Sequence, residues 1–166
     1  MKNHDPIKGR NCNDHIIQNN KFLRDFEGMY QNFSDPWNQN EEISRTSDLF
    51  IYKIFSRKLN TLFANREEGL NFLDIGCADG NLFNDFVKQG LITRKDLYLG
   101  IDISQTAINR AKTLIKNEQK KSIIYSQGDI LNVENLIQDY GQKDIIFLFK
   151  TIYYLAPEID SVITNL

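Results

Sequence analysis

Leu73-Asp74-Ile75-Gly76-Cys77-Ala78-Asp79-Gly80-Asn81 is the stretch that decides the fold. The apolar run Leu70-Asn71-Phe72-Leu73-Asp74-Ile75 closes on Gly76, and an amphipathic segment starts directly after Gly80. This is the pattern of a buried strand, a tight loop and a helix, the opening unit of a parallel sheet. Gly76 and Gly80 permit the sharp turn and a close approach of backbone to a ligand. In an open parallel sheet, the loops at the carboxyl ends of the strands hold the ligand.

The same grammar continues downstream. Leu82, Phe83, Phe86 and Val87 share one helical face, and Gly90 stops that helix. Residues 97–103 (LYLGIDI) form a second buried strand. Ser104 is placed as the N-cap of a helix with the stripe Ala107, Ile108, Ala111, Leu114 and Ile115. Residues 122–130 give a third strand, 132–140 a short helix, 143–150 a fourth strand, and Pro157 opens a last helix. Upstream, residues 1–14 are polar and read as a loose terminus. A helix is expected from His15 through Phe33, carried by Ile16, Phe22, Leu23, Phe26, Met29 and Tyr30. Asp35-Pro36-Trp37 breaks it, and a second amphipathic helix is expected over 50–63.

Strands alternating with helices predict an α/β fold: βαβ units that build a parallel sheet covered on both faces, under an N-terminal helical cap. Residues 1–69 are assigned to the cap and 70–166 to a cofactor-binding domain.

Composition bounds the partners. The 166 residues carry a formal net charge of −2, with 41% hydrophobic and 25% charged side chains. These values suit a globular domain and leave no basic footprint, so nucleic acid is not expected as a partner. No apolar run reaches the roughly 18 residues of a spanning helix, so no membrane partner is expected. The first residues lack the apolar core of a signal peptide. Cys12 and Cys77 cannot build a disulfide framework or a cysteine-rich metal site. A cytoplasmic location and no bound metal are the expectation. The two histidines, His4 and His15, are expected to be solvated.

The loop chemistry narrows the ligand. Asp74, Asp102 and Asp129 each stand at or just beyond a strand end. One such aspartate is commonly a helix cap, whereas three in register form a polar rim around one pocket. A dinucleotide fingerprint would need glycine at Ala78 and Asn81, and Asp74 and Asp79 oppose a pyrophosphate. There is no phosphate-binding loop of the G-x-x-x-x-G-K-[ST] type. The expected ligand is nucleoside-like, without phosphates, and cationic.

On these motifs the sequence resembles the class I S-adenosylmethionine-dependent methyltransferases. Their [D/E]-x-G-x-G-x-G motif is matched by Asp74-Ile75-Gly76-Cys77-Ala78-Asp79-Gly80, with alanine for one glycine. Leu99-Gly100-Ile101-Asp102, Gln127-Gly128-Asp129-Ile130 and the segment from Asp144 through Leu155 match later motifs in order. Asp35-Pro36-Trp37 adds a finer likeness to nodulation-type (NodS-like) enzymes, which N-methylate an amino sugar. The resemblance implies S-adenosylmethionine as cofactor and S-adenosylhomocysteine as product. It implies a cofactor site of Asp74, Gly76, Cys77, Ala78, Gly80, Asp102, Ile103, Asp129 and Ile130. Asp102 would take the ribose hydroxyls and Asp129 the adenine amino group. Tyr30 and Trp37 are candidates for the cap wall, where aromatic faces attract a cation. Lys150, Tyr153 and Tyr154 are the catalytic candidates, although alignment of the reactants, more than acid–base chemistry, is the main task. Cys77 is read as a small apolar residue under the turn. The N/D-P-P-Y/F sequence that marks methylation of nucleic-acid amines is absent.

The expected function is methyl transfer to an amine or hydroxyl of a small molecule, an amino sugar being the sharpest version. The alternative is a non-catalytic cofactor-fold module, or a truncated inactive enzyme. A nicotinamide oxidoreductase is disfavoured by Ala78, Asn81 and the acidic loop. The resemblance implies a Rossmann-like, doubly wound sheet of strand order 3-2-1-4 that normally carries seven strands, so the C-terminal strands are expected to be missing. The chain is then a fragment, a truncated product, or a protomer that completes its sheet by pairing with a second copy along the fourth strand's apolar edge.

Overall fold

The structure is a computed structural model that describes residues 11–37, 50–63, 66–115, 122–132, 140–155 and 158–165. His4, the helix expected at 132–140 and Pro157 lie wholly or largely outside these residues.

The N-terminal segment departs from the expected continuous helix. A 3₁₀ turn at Cys12–His15 leads into the antiparallel hairpin β1 (Ile17–Gln18) and β2 (Lys21–Phe22). Only then does α1 (Phe26–Asn32) begin, capped by Asp25, whose side chain accepts from the Gly28 N–H. The cause is Asn19-Asn20. Both adopt positive φ (51° and 59°), as a two-residue hairpin turn of the mirror-image type requires, and asparagine tolerates that region better than other L-residues. His15 is buried, contrary to the solvated placement, and its Nδ1 lies 2.7 Å from Asp25 Oδ2. The second helix, α2 (Phe50–Phe63), has the expected bounds.

The central sheet has strands β3 (Asn71–Ile75), β4 (Leu97–Asp102), β5 (Ile123–Gln127) and β6 (Ile145–Phe147), ordered β5-β4-β3-β6 and all parallel. This is the 3-2-1-4 order implied by the family resemblance. Successive side chains point to opposite faces. Phe72, Tyr98, Ile123, Tyr125 and Phe147 enter one buried cluster, while Leu73, Ile75, Leu99 and Ile101 enter the other.

Both faces are covered, which is why these strands read as continuous apolar runs. Leu59 of α2, Phe83 and Phe86 of α3 (Asn81–Lys88), and Ile108 and Ala111 of α4 (Gln105–Thr113) cover the first face. Burying a side chain the size of Phe86 contributes about 1.5–3 kcal/mol. Ile130, Leu155 and Val162 of α5 (Ile159–Asn165) cover the second. On this last helix Val162 is fully buried and Ile159 packs beside it, while Ile163 stays exposed. The fourth strand is shorter than its apolar run: its pairing with β3 ends at Asp74–Phe147, and Lys150, three residues on, takes positive φ (59°). No helix among the described residues is long and apolar enough to cross a membrane.

Polar contacts from three side chains, Glu27, Arg24 and Arg110, tie the N-terminal segment to the rest. Glu27 of α1 reaches the start of α4, and Arg24 pairs with Glu158 at 2.6 Å. From α4, Arg110 donates to the carbonyls of Tyr30, Phe33 and Ser34, placing a cation at the C-terminal end of α1.

Candidate functional site

A cleft of about 490 Å³ opens at the carboxyl ends of β3, β4, β5 and β6. This volume lies within the usual range for a small-molecule site, roughly 300–1,000 Å³.

The loop after β3 forms part of the cleft. The N–H groups of Gly76 and Cys77 both donate to the carbonyl of Ile101, at 2.8 and 2.9 Å, fastening the loop to β4. Gly76 has φ +74°, and a Cβ there would sit 2.0 Å from Thr151 Oγ1, so glycine is required twice over. Ala78 also has positive φ (52°) and holds this conformation without glycine's freedom. Cys77 is buried and its Sγ lies against Gly100, where a Cβ would come within 2.9 Å of it. Gly80 does not line the cleft. It caps α3 with φ +82°, where a Cβ would come 2.6 Å from the Tyr125 hydroxyl. Its role in the structure is to turn the chain.

Asp102 holds the rim together. Its Oδ2 accepts the Ala78 N–H and its Oδ1 the Ser104 N–H, both at 2.9 Å. Each oxygen keeps a lone pair for a further donor. Burial raises its pKa to about 6, against the lowering pull of those two N–H groups. Asp74 is buried deeper and accepts the Tyr98 hydroxyl. Burial pushes its pKa up to about 7, opposed by the Tyr98 hydrogen bond and reinforced by the charge of Asp102. Burial also raises Asp79, and the charge of Asp35 adds to the shift. A site that strains to keep three carboxylates charged is complementary to a positive ligand and repels an anionic one.

Asp129 and Ile130 line the next part of the cleft, with Asp129 Oδ1 accepting the Leu131 N–H at 3.0 Å. Ile103 also lines the cleft, 44% exposed. From the cap, Tyr30 is buried and its hydroxyl accepts from Trp37 Nε1 at 2.7 Å, leaving its own proton to donate. Tyr154 joins cap and sheet. Its ring stacks on Phe22 and meets Phe26 and Trp37 at centroid distances of 5.1–5.9 Å. Lys150 and Tyr153 line the same cleft and are exposed. Of the residues placed at the site from sequence, Gly80 alone falls outside the lining. Among the described residues, no three His, Cys, Asp or Glu side chains group as a metal site would need.

The sequence reading missed two site residues. Arg24 lines the cleft from a backbone with φ 55° and carries no local signal. Glu27 accepts from Ser104 Oγ (2.6 Å), Thr106 Oγ1 (2.6 Å) and the Thr106 N–H (3.2 Å), so it locks α1 beside Asp102. Burial works against its charge, but these donors outweigh it and hold its pKa at about 2.

Comparison with known proteins gives the site a context. The family profile described as a methyltransferase domain matches residues 66–166. A tRNA (guanine-N(7)-)-methyltransferase of Prochlorococcus marinus (strain MIT 9515) is 32% identical over 101 residues, covering 60% of this chain and 44% of that protein. The protein of the same description in strain AS9601 is 29% identical over 100 residues. The chain thus spans 44% of the length of these curated relatives. Among solved structures, the plantazolicin methyltransferase BpumL in complex with SAH is 23% identical over 68% of this chain and 38% of its own, with a TM-score of 0.47. A Methanococcus maripaludis protein described as a putative S-adenosyl-L-methionine-dependent methyltransferase is 24% identical over 59% of this chain and 42% of its own, with a TM-score of 0.41.

These relatives correct one expectation. Nucleic acid was excluded as a partner and a small-molecule acceptor assumed, yet the curated relatives are described as acting on tRNA. The exclusion failed for two reasons. A whole-chain charge of −2 averages away any local cation. The missing N/D-P-P-Y/F sequence speaks only to amines, whereas guanine N7 is a ring nitrogen with a free lone pair.

Proposed function

The chain belongs to the methyltransferase-domain family, and from that footing we propose that its cleft binds S-adenosylmethionine and presents the methyl group to an acceptor at the carboxyl end of β6. The observation that carries this reading is the doubly braced Asp102. Backbone N–H groups of the loop and of Ser104, the N-cap of α4, fix its carboxylate, and the residue lines a cleft of nucleoside size. That geometry supports acceptance of two ribose hydroxyls. Asp74, Asp79 and Asp102 favour a cation over a phosphate, which separates this ligand from a dinucleotide.

When bound, the cofactor supplies a methyl carbon on positively charged sulfur, which leaves with the C–S electron pair as neutral S-adenosylhomocysteine. The chain's own residues bind and align. Asp129 offers its free oxygen to an amino group of the base. Backbone around Gly76 and Ala78 flanks the amino-acid part. Tyr30, Trp37 and Tyr154 wall the cleft and keep water from it. The NodS-like likeness would call for an amino-sugar acceptor. Such an amine takes the methyl group only as its free base, the form that the neighbouring cation of Lys150 at the end of β6 favours.

Isothermal titration of the chain with S-adenosylmethionine and S-adenosylhomocysteine tests the reading. Both ligands should bind, and Asp102→Asn should weaken both about tenfold or more, because an amide cannot accept on both sides. If neither ligand binds the wild-type chain, the reading fails. Binding without turnover over a broad acceptor panel would point to a non-catalytic module.

A further inference from the structure

Lys150 and Tyr153 are the two cleft-lining side chains at the carboxyl end of β6 that remain unused. Neither side chain makes a hydrogen bond, an ion pair or a ring contact among the described residues. Arg24 also lines the cleft, but Glu158 engages its guanidinium. Tyr153 is 74% exposed, the most exposed large hydrophobic side chain among the described residues. Lys150 is exposed and its backbone is held in the left-handed region at φ 59°. An L-residue adopts that region only against steric strain between its Cβ and the backbone.

The neighbouring contacts hold the turn in this form. Thr151 Oγ1 donates to the carbonyl of Ile75 at 2.9 Å, and Gly76 lacks the Cβ that would push Thr151 away. The turn bearing Lys150 is thereby fixed to the loop that carries Gly76. The strain is retained at the mouth of a ligand cleft, where function is the common reason for it.

We infer that Lys150 and Tyr153 form the acceptor site, and that the acceptor is a nucleotide whose base stacks on Tyr153 while its phosphate pairs with Lys150. A flat, exposed ring and an unpaired cation three residues apart suit a planar heterocycle carrying negative charge. The acidic side of the cleft is kept for the cation, and the lysine side takes the anion. The nucleotide can be free or part of an RNA strand, and the chemistry at the two side chains is the same. This inference rests on the methyltransferase reading only for its name as acceptor site. The contacts themselves can be measured without the cofactor.

The test uses the whole chain with two probes, an unmodified tRNA transcript followed by fluorescence anisotropy and GMP followed by calorimetry. S-adenosylhomocysteine affinity is measured in parallel. Tyr153→Ala should weaken binding about tenfold, and Tyr153→Phe should restore it because the stacking face is kept. Lys150→Ala should weaken binding and lower the slope of log affinity against log salt by about one for the transcript. Binding of both probes identifies a nucleotide site, and binding of the transcript alone identifies a site within RNA. The inference is overturned if neither probe binds, or if both variants bind the probes as the wild type does. Loss of S-adenosylhomocysteine binding with probe binding intact would strike the cofactor reading and leave this one standing.

Discussion

Tyr98 donates its hydroxyl to Asp74 Oδ2 at 2.5 Å, and both side chains are buried. The pair lies under the loop that frames the cleft, where burial favours the neutral form of Asp74 against the pull of the Tyr98 hydrogen bond. An aspartate in an unfolded chain titrates near pH ~3.9, whereas Asp74 in the fold titrates at about 7. Between those values the folded chain holds more protons than the unfolded one, so stability falls as pH rises. The contribution of Asp74 is fully present below the lower value and is lost above the upper one. Asp74→Asn should therefore flatten the thermal midpoint between pH 4 and 7 and raise it at pH 8, while weakening the cofactor. Asp102 acts in the same direction, so the curve flattens without becoming level. Parallel midpoint curves for variant and wild type would refute this.

Glu27 has the opposite sign. Its pKa is held at about 2, so its contribution is present above the ordinary glutamate value and disappears as pH falls toward 2. Glu27→Gln should cost about 1–3 kcal/mol at pH 7, because charge-assisted bonds from Ser104 and Thr106 are lost. Urea midpoints at pH 7 and 2.5 measure it, and a gap that persists unchanged at the lower pH would count against the latch.

Gly76→Ala should lower stability by at least about 1–3 kcal/mol, since it combines positive φ with a contact 2.0 Å from Thr151 Oγ1. Adding Thr151→Ser should bring no relief, because the oxygen stays. Adding Thr151→Ala should recover part of the loss. Chemical denaturation of the three proteins decides the matter, and equal recovery by serine and alanine would show that the clash is not with that oxygen.

Ala78→Gly should stabilise the chain by about 0.5–1 kcal/mol. Relief of the left-handed alanine at φ 52° exceeds the added freedom of glycine in the unfolded chain. Calorimetric melting checks the sign, and a lowered midpoint would mean that the Ala78 methyl group contributes more packing than its backbone loses.

The parallel sheet was legible because buried parallel strands announce themselves as apolar runs, and because Gly76 and Asp102 mark strand ends by residue type; the strand order came with the family resemblance. The hairpin at 17–22 was not. Ile16, Phe22 and Phe26 fit helical spacing, and only Asn19-Asn20 carried the turn. The burial of His15 and the reach of Glu27 to Ser104 depend on contacts far apart along the chain, for which local pattern has no signal. Lys150 looked like the end of a long strand because side-chain type does not reveal a backbone that has already turned.

The Arg24–Glu158 bridge spans 134 positions of sequence at one lip of the cleft. Contacts of such high order form late, after the sheet has drawn the ends together. A partly exposed pair contributes no more than about 1 kcal/mol, less than the entropy of ordering its segments. The bridge is thus a fastening set by the rest of the fold, and its strength answers to the ionic strength of the medium. Salt should loosen the entrance to the cleft well before it disturbs the sheet.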